Sequence, residues 1–374
     1  MSTEGQRHPT SVLISGGGTA GHVQPGLDIA RALVRRGCPA DNIHYVGSER
    51  GIEARLVPEA GFELTLLPGR GIQRRLTIDN VGAVVGLLRA FVTAFGVLRR
   101  VRPDVVVSLG GYASVPCALW AVLMRIPIVV AEQNAVPGLA NRLIGRFARV
   151  AATSFPDVDL PRATWTGNPV RDEIRAVDRD AGRLAARSRL GVDPSRFMVS
   201  VFGGSLGARR INNAVVDALP QWRGDGDLAV RHIIGERDYD SVLEQLAPGD
   251  DASAAYRPVR YETDMAGVYA ASDVVVCRSG ATTVAEVAVT GTPAILVPLP
   301  GAPGDHQTAN AKALVDCGAA VLVADPDLDG PRLIDEIERL RIDADRRDAM
   351  SGAAADFARP DAADAVASII EAAV

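Results

Sequence analysis

Short apolar runs alternate with helical stretches along the first half of the chain. Residues 12–15 form an apolar run that leads into glycines, and residues 22–36 then carry the rhythm of an amphipathic helix. Gly37 stands where a left-handed residue closes such a helix. Further runs at 43–46, 104–108 and 128–131 read as strands, with a helical stretch reaching to about 124. The pattern then restarts. Residues 162–171 read as a crossing segment, because Gly167-Asn168-Pro169 resists regular structure. Strands follow at 198–202, 231–234, 274–277 and 294–297, and the tail from about 353 reads as two helices broken near Pro360. Strand–helix alternation of this kind predicts parallel sheets covered on both faces. The expected fold is α/β, with two Rossmann-like, doubly wound domains in tandem facing a central cleft. The expected boundaries are 1–167, 168–355 and a C-terminal helix 356–374 that returns to the first domain.

Length agrees with this division. The chain has 374 residues, and a domain takes roughly 150. Aromatic residues make up 5% and the net charge is −5, which argues against base-stacking platforms and a DNA-coating surface. No nucleic-acid partner is expected. Cys38, Cys117, Cys277 and Cys317 lack metal-ligand spacing and read as buried, reduced thiols. Residues 1–10 do not have the pattern of a signal peptide. The longest apolar stretch, 81–98, contains Arg89 and three glycines. It reads as an amphipathic or interfacial helix rather than a membrane span.

Two glycine turns carry the first chemical signal. Gly16-Gly17-Gly18-Thr19-Ala20-Gly21-His22 links a strand to a helix, and so does Gly203-Gly204-Ser205-Leu206-Gly207-Ala208. Glycines let the backbone turn tightly against an anion, and the helix start offers N–H groups. The first turn satisfies G-x-G-x-x-G, but the acid that a dinucleotide site wants arrives late, at Glu49. His22 reads either as a helix-end packing residue or as a group that takes a proton or binds a diphosphate oxygen. Ser205 can offer its hydroxyl and its N–H to a phosphate.

A third stretch runs over residues 273–298. Arg278-Ser279-Gly280 precedes a helix over 281–290, with Ala281, Thr282 and Thr283 in its first turn. Glu286 reads either as a solvent-facing side chain or as an acceptor for two ribose hydroxyls. Asp305-His306-Gln307 and Asn310 follow the next strand, and their amides suit sugar hydroxyls. Tyr112 and Glu132-Gln133-Asn134 also follow strands directly. The pairs Asp238/Asp240 and Asp343/Asp345 fall in polar segments and read as solvated surface.

Taken together, these segments resemble the UDP-N-acetylglucosamine transferases of bacterial peptidoglycan synthesis, in order and over nearly the whole chain. The resemblance implies a GT-B fold of glycosyltransferase family 28, with inverting chemistry that needs neither metal nor cofactor. It implies transfer of GlcNAc from UDP-GlcNAc to C4 of the MurNAc in lipid I, giving the β1→4 bond of lipid II. By residue match it assigns Thr19, Ala20, Gly21, Asn134, Arg171, Ser205, Ala281, Thr282, Thr283, Glu286 and Gln307 to the donor. Gly17, Gly18 and Tyr112 fall on the acceptor side. His22 and Glu132 are both candidates for the general base. Leu206 and His306 depart from family members that carry Gln there. The lipid acceptor implies a peripheral enzyme on the cytoplasmic face of the cell membrane, touching anionic inner-leaflet lipid. Arg70, Arg74, Arg75 and Arg89 among Ile72, Leu76, Leu87 and Leu88, with Arg142, Arg146 and Arg149, suit that surface. Three other readings share parts of this pattern: a UDP-GlcNAc epimerase of the same architecture, an NAD oxidoreductase and a non-catalytic nucleotide-binding module.

Overall fold

The computed structural model describes residues 10–49, 51–69, 79–204, 207–246 and 256–374. The chain divides into two compact units, Met1–Val170 with Pro360–Val374, and Arg171–Arg359.

Among the described residues the first unit holds seven strands: β1 (Val12–Gly16), β2 (Ile43–Ser48), β3 (Glu63–Leu67), β4 (Val105–Gly110), β5 (Ile128–Glu132), β6 (Val150–Thr153) and β7 (Ala163–Trp165). They form one sheet in the order β3-β2-β1-β4-β5-β6-β7. Every pairing is parallel; Val12, for example, faces Ile43 on one side and Val105 on the other. The central strands are buried along their length, as expected when helices cover both faces. The helix Ala20–Arg35 ends as the sequence predicts. Gly37 is left-handed, and the N–H groups of Gly37 and Cys38 bond back to Val34 and Leu33.

The apolar stretch is a 23-residue helix, Asp79–Val101, that runs through its glycines. It buries Ala90, Ala94, Val97 and Leu98 and exposes Leu88 and Val92. No helix among the described residues is long and apolar enough to cross a membrane. The C-terminal helix Ala362–Ala372 packs on Ala20–Arg35. Ala363, Val366, Ala367 and Ile370 enter the same core as Val23, Leu27 and Ala30. Arg35–Asp364 and Arg36–Glu371 flank this contact. Exposed pairs of this kind are screened by water and contribute little, so the apolar stripe does most of the anchoring.

The second unit repeats the plan with β8 (Phe197–Phe202), β9 (Leu228–Ile233), β10 (Tyr256–Val259), β11 (Val274–Cys277), β12 (Ala294–Leu296) and β13 (Ala320–Leu322). Their order is β10-β9-β8-β11-β12-β13, again all parallel. In each unit the strand order reverses once, between β1 and β4 and between β8 and β11. That reversal opens a crevice at the carboxyl ends of the strands, where ligands of doubly wound sheets bind.

Several features differ from the sequence reading. Strands β3, β6, β7, β10 and β13 are additional. Of these, β7 is an exposed edge and β13 has three residues, so neither makes a long apolar run. The segment expected to cross between domains contributes β7 before it becomes irregular. The cysteines are free, but only Cys117 and Cys277 are buried; Cys317 is exposed where a helix ends. Asp238 is not a surface residue: it is 3% exposed and bonded on several sides.

Candidate active site

In the first unit the switch point places the first glycine turn beside Gly110, Gly111 and Tyr112. The two turns are in close contact: a Cβ at Gly16 would strike the Gly110 carbonyl. Gly17 and Gly18 rest on Glu53, which is 1% exposed. Its carboxylate accepts from the Gly18 N–H at 2.9 Å and from the Ser48 N–H at 2.7 Å. An internal carboxylate thus takes one of the N–H groups that a dinucleotide would need. Thr19 is the N-cap of the helix, yet its hydroxyl does not cap the backbone. It lies 3.0 Å from Nδ1 of His22 and so steers the imidazole at the helix start. Ala20 and Gly21 form the first turn between them. The Tyr112 hydroxyl donates to the Pro68 carbonyl at 2.9 Å, and burial raises its pKa.

Glu132 ends β5, two strands from the glycine turn, and is buried. Its oxygens accept from the Asn134 N–H (2.9 Å) and side chain (3.4 Å), the Gly138 N–H (3.1 Å) and the Asn141 amide (2.9 Å). Asn141 also accepts from Ser108 at 2.9 Å. The carboxylate is therefore the hub of the loop that carries Asn134.

The second unit holds a cavity of about 640 Å³ at its own switch point. Gly203, Gly204, Gly207 and Ala208 line one part of it, and Gly280, Thr283, Gln307, Asp325 and several arginines are also in the lining. Ser205 and Leu206 lie outside the described residues. Gly207 has φ +80, and a Cβ there would run into the Ile234 carbonyl, so the turn must pass close to the end of β9. The helix Ala281–Thr290 starts beside the cavity, and the free N–H groups of such a helix start suit an anion. Thr282 Oγ1 is buried without a hydrogen-bond partner among the described residues. Arg278 lies 2.5 Å from Asp325, a close charge contact rather than a directed hydrogen bond, and donates to the carbonyls of Val297 and Pro298.

Glu286 is buried, not solvent-facing, at 7% exposure. It accepts from the Tyr269 hydroxyl at 2.9 Å and from Arg171 at 3.3 Å. Burial raises the Glu286 pKa, and Arg171 and Tyr269 partly oppose this. Gln307 Oε1 accepts from the Leu299 N–H at 2.9 Å, which orients its amide along the cavity wall. Asn310 follows Gln307 in the helix His306–Asp316. It is fully buried and donates to the Ser279 carbonyl.

Sequence reasoning passed over Glu53, Asn141 and Tyr269. None follows a strand end or sits in a glycine-rich run; each acts through the residue it holds. Glu53 had one available signal, as an acid two residues after Gly51. Among the described residues no cluster of His, Cys, Asp and Glu could hold a metal ion.

Two doubly wound units, one with a cavity walled by a glycine turn and a helix start, define the GT-B class of glycosyltransferases. The chain belongs to glycosyltransferase family 28: residues 12–153 match its N-terminal domain and residues 198–366 its C-terminal domain. Among curated relatives is the UDP-N-acetylglucosamine–N-acetylmuramyl-(pentapeptide) pyrophosphoryl-undecaprenol N-acetylglucosamine transferase of Moorella thermoacetica. It is 39% identical, covering 96% of this chain and 98% of that one. The Nocardioides protein of the same name is 42% identical, covering 96% and 97%. The solved MurG structure of Acinetobacter baumannii matches with TM-score 0.78 at 29% identity, covering 97% and 100%. A Neisseria meningitidis UDP-GlcNAc 2-epimerase shares the fold at TM-score 0.65 but only 10% identity, covering 96% and 99%.

Proposed function

We propose that this protein moves GlcNAc from UDP-GlcNAc to the C4 hydroxyl of MurNAc in lipid I, with inversion, to form lipid II. The observation that carries this reading is near-full-length identity of about two residues in five to relatives named for that transfer. The chemistry of the second unit supports it. Its cavity has the size of a small-molecule site, and glycine-turn and helix-start N–H groups can take up charge on a departing diphosphate. Glu286, with Arg171 beside it, suits a ribose diol. Gln307, Thr282 and Thr283 suit sugar and phosphate, and Ser205 and Asn134 complete the donor set proposed here. Ala281 contributes its place at the helix start. In the first unit, Thr19, Ala20 and Gly21 are donor residues by residue match, while Gly17, Gly18 and Tyr112 in and beside the same turn suit the diphosphate of the acceptor.

The base is His22 or Glu132. The hydrogen bonds that Glu132 already accepts favour His22, which sits at an exposed turn. Transfer measured with His22→Ala and Glu132→Gln at saturating donor separates them, since wild-type kcat in one variant removes that residue.

We also propose that the first unit docks on anionic lipid at the cytoplasmic face of the membrane. Leu88, Val92, Leu139, Leu143 and Phe147 are exposed together with Arg89, Arg142, Arg146 and Arg149. Arg70, Ile72, Arg74, Arg75 and Leu76 lie outside the described residues. Flotation with phosphatidylglycerol vesicles tests the docking, and recovery in the unbound fraction rejects it. For the reaction, purified protein is given radiolabelled UDP-GlcNAc with and without a lipid I analogue. Label should reach the lipid only when acceptor is present. Conversion of UDP-GlcNAc to another sugar nucleotide without acceptor would make the protein an epimerase.

A further inference from the structure

The buried Asp238 lies at the end of a continuous polar chain through the second unit. The Tyr256 hydroxyl is 2.9 Å from Nδ1 of His232, and Nε2 of His232 is 3.0 Å from Oδ1 of Asn212. The Asn212 amide nitrogen donates to the Ile234 carbonyl at 3.2 Å and to Asp238 at 3.3 Å. This network fixes the histidine tautomer. Asn212 uses its NH₂ on Ile234 and Asp238, so its oxygen accepts, Nε2 of His232 carries the proton, and Tyr256 donates to Nδ1. Tyr256, His232 and Asn212 are all buried.

At the exposed end, Asp238 holds two guanidinium groups. Arg237 donates to it through two nitrogens, both at 2.9 Å, and Arg209 lies 3.5 Å away. Both arginines line the cavity, as do Arg210 and Arg278. Arg210 is bonded to the carbonyls of Asp325 and Pro326, which carry no charge. Four guanidiniums against the carboxylates of Asp238 and Asp325 leave two positive charges. A diphosphate diester carries two negative charges. The bonds to Asp238 use two of the five N–H donors of Arg237, and its side chain is half exposed. Solvating a lone guanidinium requires no buried relay to aim it.

We propose that Arg237 and Arg209, held by Asp238, bind the diphosphate of the nucleotide-sugar donor, and that Tyr256, His232 and Asn212 are the positioning residues that fix Asp238. This rests on the donor reading given above and adds residues to it. The proposal separates phosphate binding from base and ribose binding, and that difference makes it measurable.

The test is calorimetric titration of the full chain with UDP and with uridine at one ionic strength. Arg237→Gln should weaken UDP binding about tenfold or more, the effect of one charge-assisted contact, and leave uridine binding unchanged. Arg237→Lys should recover part of the loss. Asp238→Asn should weaken UDP against uridine in the same way, the uridine arm separating this from the loss of stability that removing a buried, paired carboxylate brings. Tyr256→Phe should give a smaller shift in the same ratio. Wild-type UDP affinity in both Arg237→Gln and Arg209→Gln overturns the proposal, and so does a parallel loss of uridine binding. A lowered melting temperature with an unchanged ratio in Tyr256→Phe reduces the relay to packing. If wild-type protein binds uridine and UDP equally, the phosphate clamp fails while the donor reading stands. If it binds neither, the donor reading fails and takes the clamp with it.

Discussion

Arg171 and Glu286 are 115 positions apart, yet their guanidinium and carboxylate meet at 3.3 Å, with the carboxylate almost wholly removed from water. Burial outweighs the arginine, so the carboxyl pKa is raised above its ordinary 4.5. A ribose diol needs the ionised, acceptor-only form. UDP-GlcNAc binding should therefore weaken on acidification at a pH where an ordinary glutamate is still charged. Glu286→Gln should bind donor weakly and without that pH dependence. A pH series of KM for UDP-GlcNAc checks this, and matching profiles in wild type and variant would reject it.

The same burial has a stability consequence of opposite sign. A raised carboxyl pKa means that folding favours the protonated form, so the contribution is full at low pH and is lost as pH rises through the shifted value. At pH 7 the ligand-free protein thus holds an unfavourable buried charge. Glu286→Gln should melt at a higher temperature than wild type while losing donor affinity. A lower melting temperature would mean that the Arg171 pair outweighs burial.

Tyr269 supplies the other hydrogen bond to Glu286 and is itself fully buried. Tyr269→Phe keeps the ring packed edge-on against Phe202 but leaves a carboxylate oxygen without a donor. That costs about 1–3 kcal/mol. It should also move the acid limb of donor binding to higher pH. Unfolding in urea together with the pH series of KM reads both effects.

Most of the framework was legible because parallel strands buried on both faces make uninterrupted apolar runs. β1, β5, β8 and β11 announce themselves in this way. β7 and β13 do not, because an edge strand and a three-residue strand leave no such run. Glycine turns, strand-end polar groups and the helix start at Ala281 were legible because backbone geometry restricts which residues stand there. Partners that act through another residue left no local mark. Tyr269 looks like any core aromatic, and Asp238 looks like any acid in a charged segment. Asp238 is buried where Asn212, from another element, comes to meet it.

Glu53 should matter for folding of the first glycine turn. It satisfies the N–H groups of Gly18 and Ser48 from a buried position. Glu53→Gln turns an NH₂ toward one of those donors and leaves that N–H unsatisfied, at a cost of about 1–3 kcal/mol. The variant should unfold at lower urea and lose transfer activity more than UDP affinity, because the donor cavity is in the other unit. Equal losses of transfer and UDP binding would show that the damage is general.

His232 offers a clean pH handle on the second unit. Burial pushes its pKa down from 6.5 to about 3, and its Nε2–H is committed to Asn212. Between those values the unfolded chain binds a proton that the folded chain refuses. The depressed pKa therefore contributes stability that is complete above pH 6.5 and is lost as pH falls toward 3. The slope in this window approaches about 1.4 kcal/mol per pH unit. Urea unfolding between pH 4.5 and 7, followed by a probe in the second unit, should show that slope added to the carboxylate background. His232→Gln keeps a donor and an acceptor but cannot titrate, so its profile should be flatter by about that amount. Parallel profiles would mean that the imidazole is already protonated in the folded chain. Only the bond between Tyr256 and Nδ1 would then have to be reversed, with the imidazolium donating to the hydroxyl while Nε2–H still donates to Asn212.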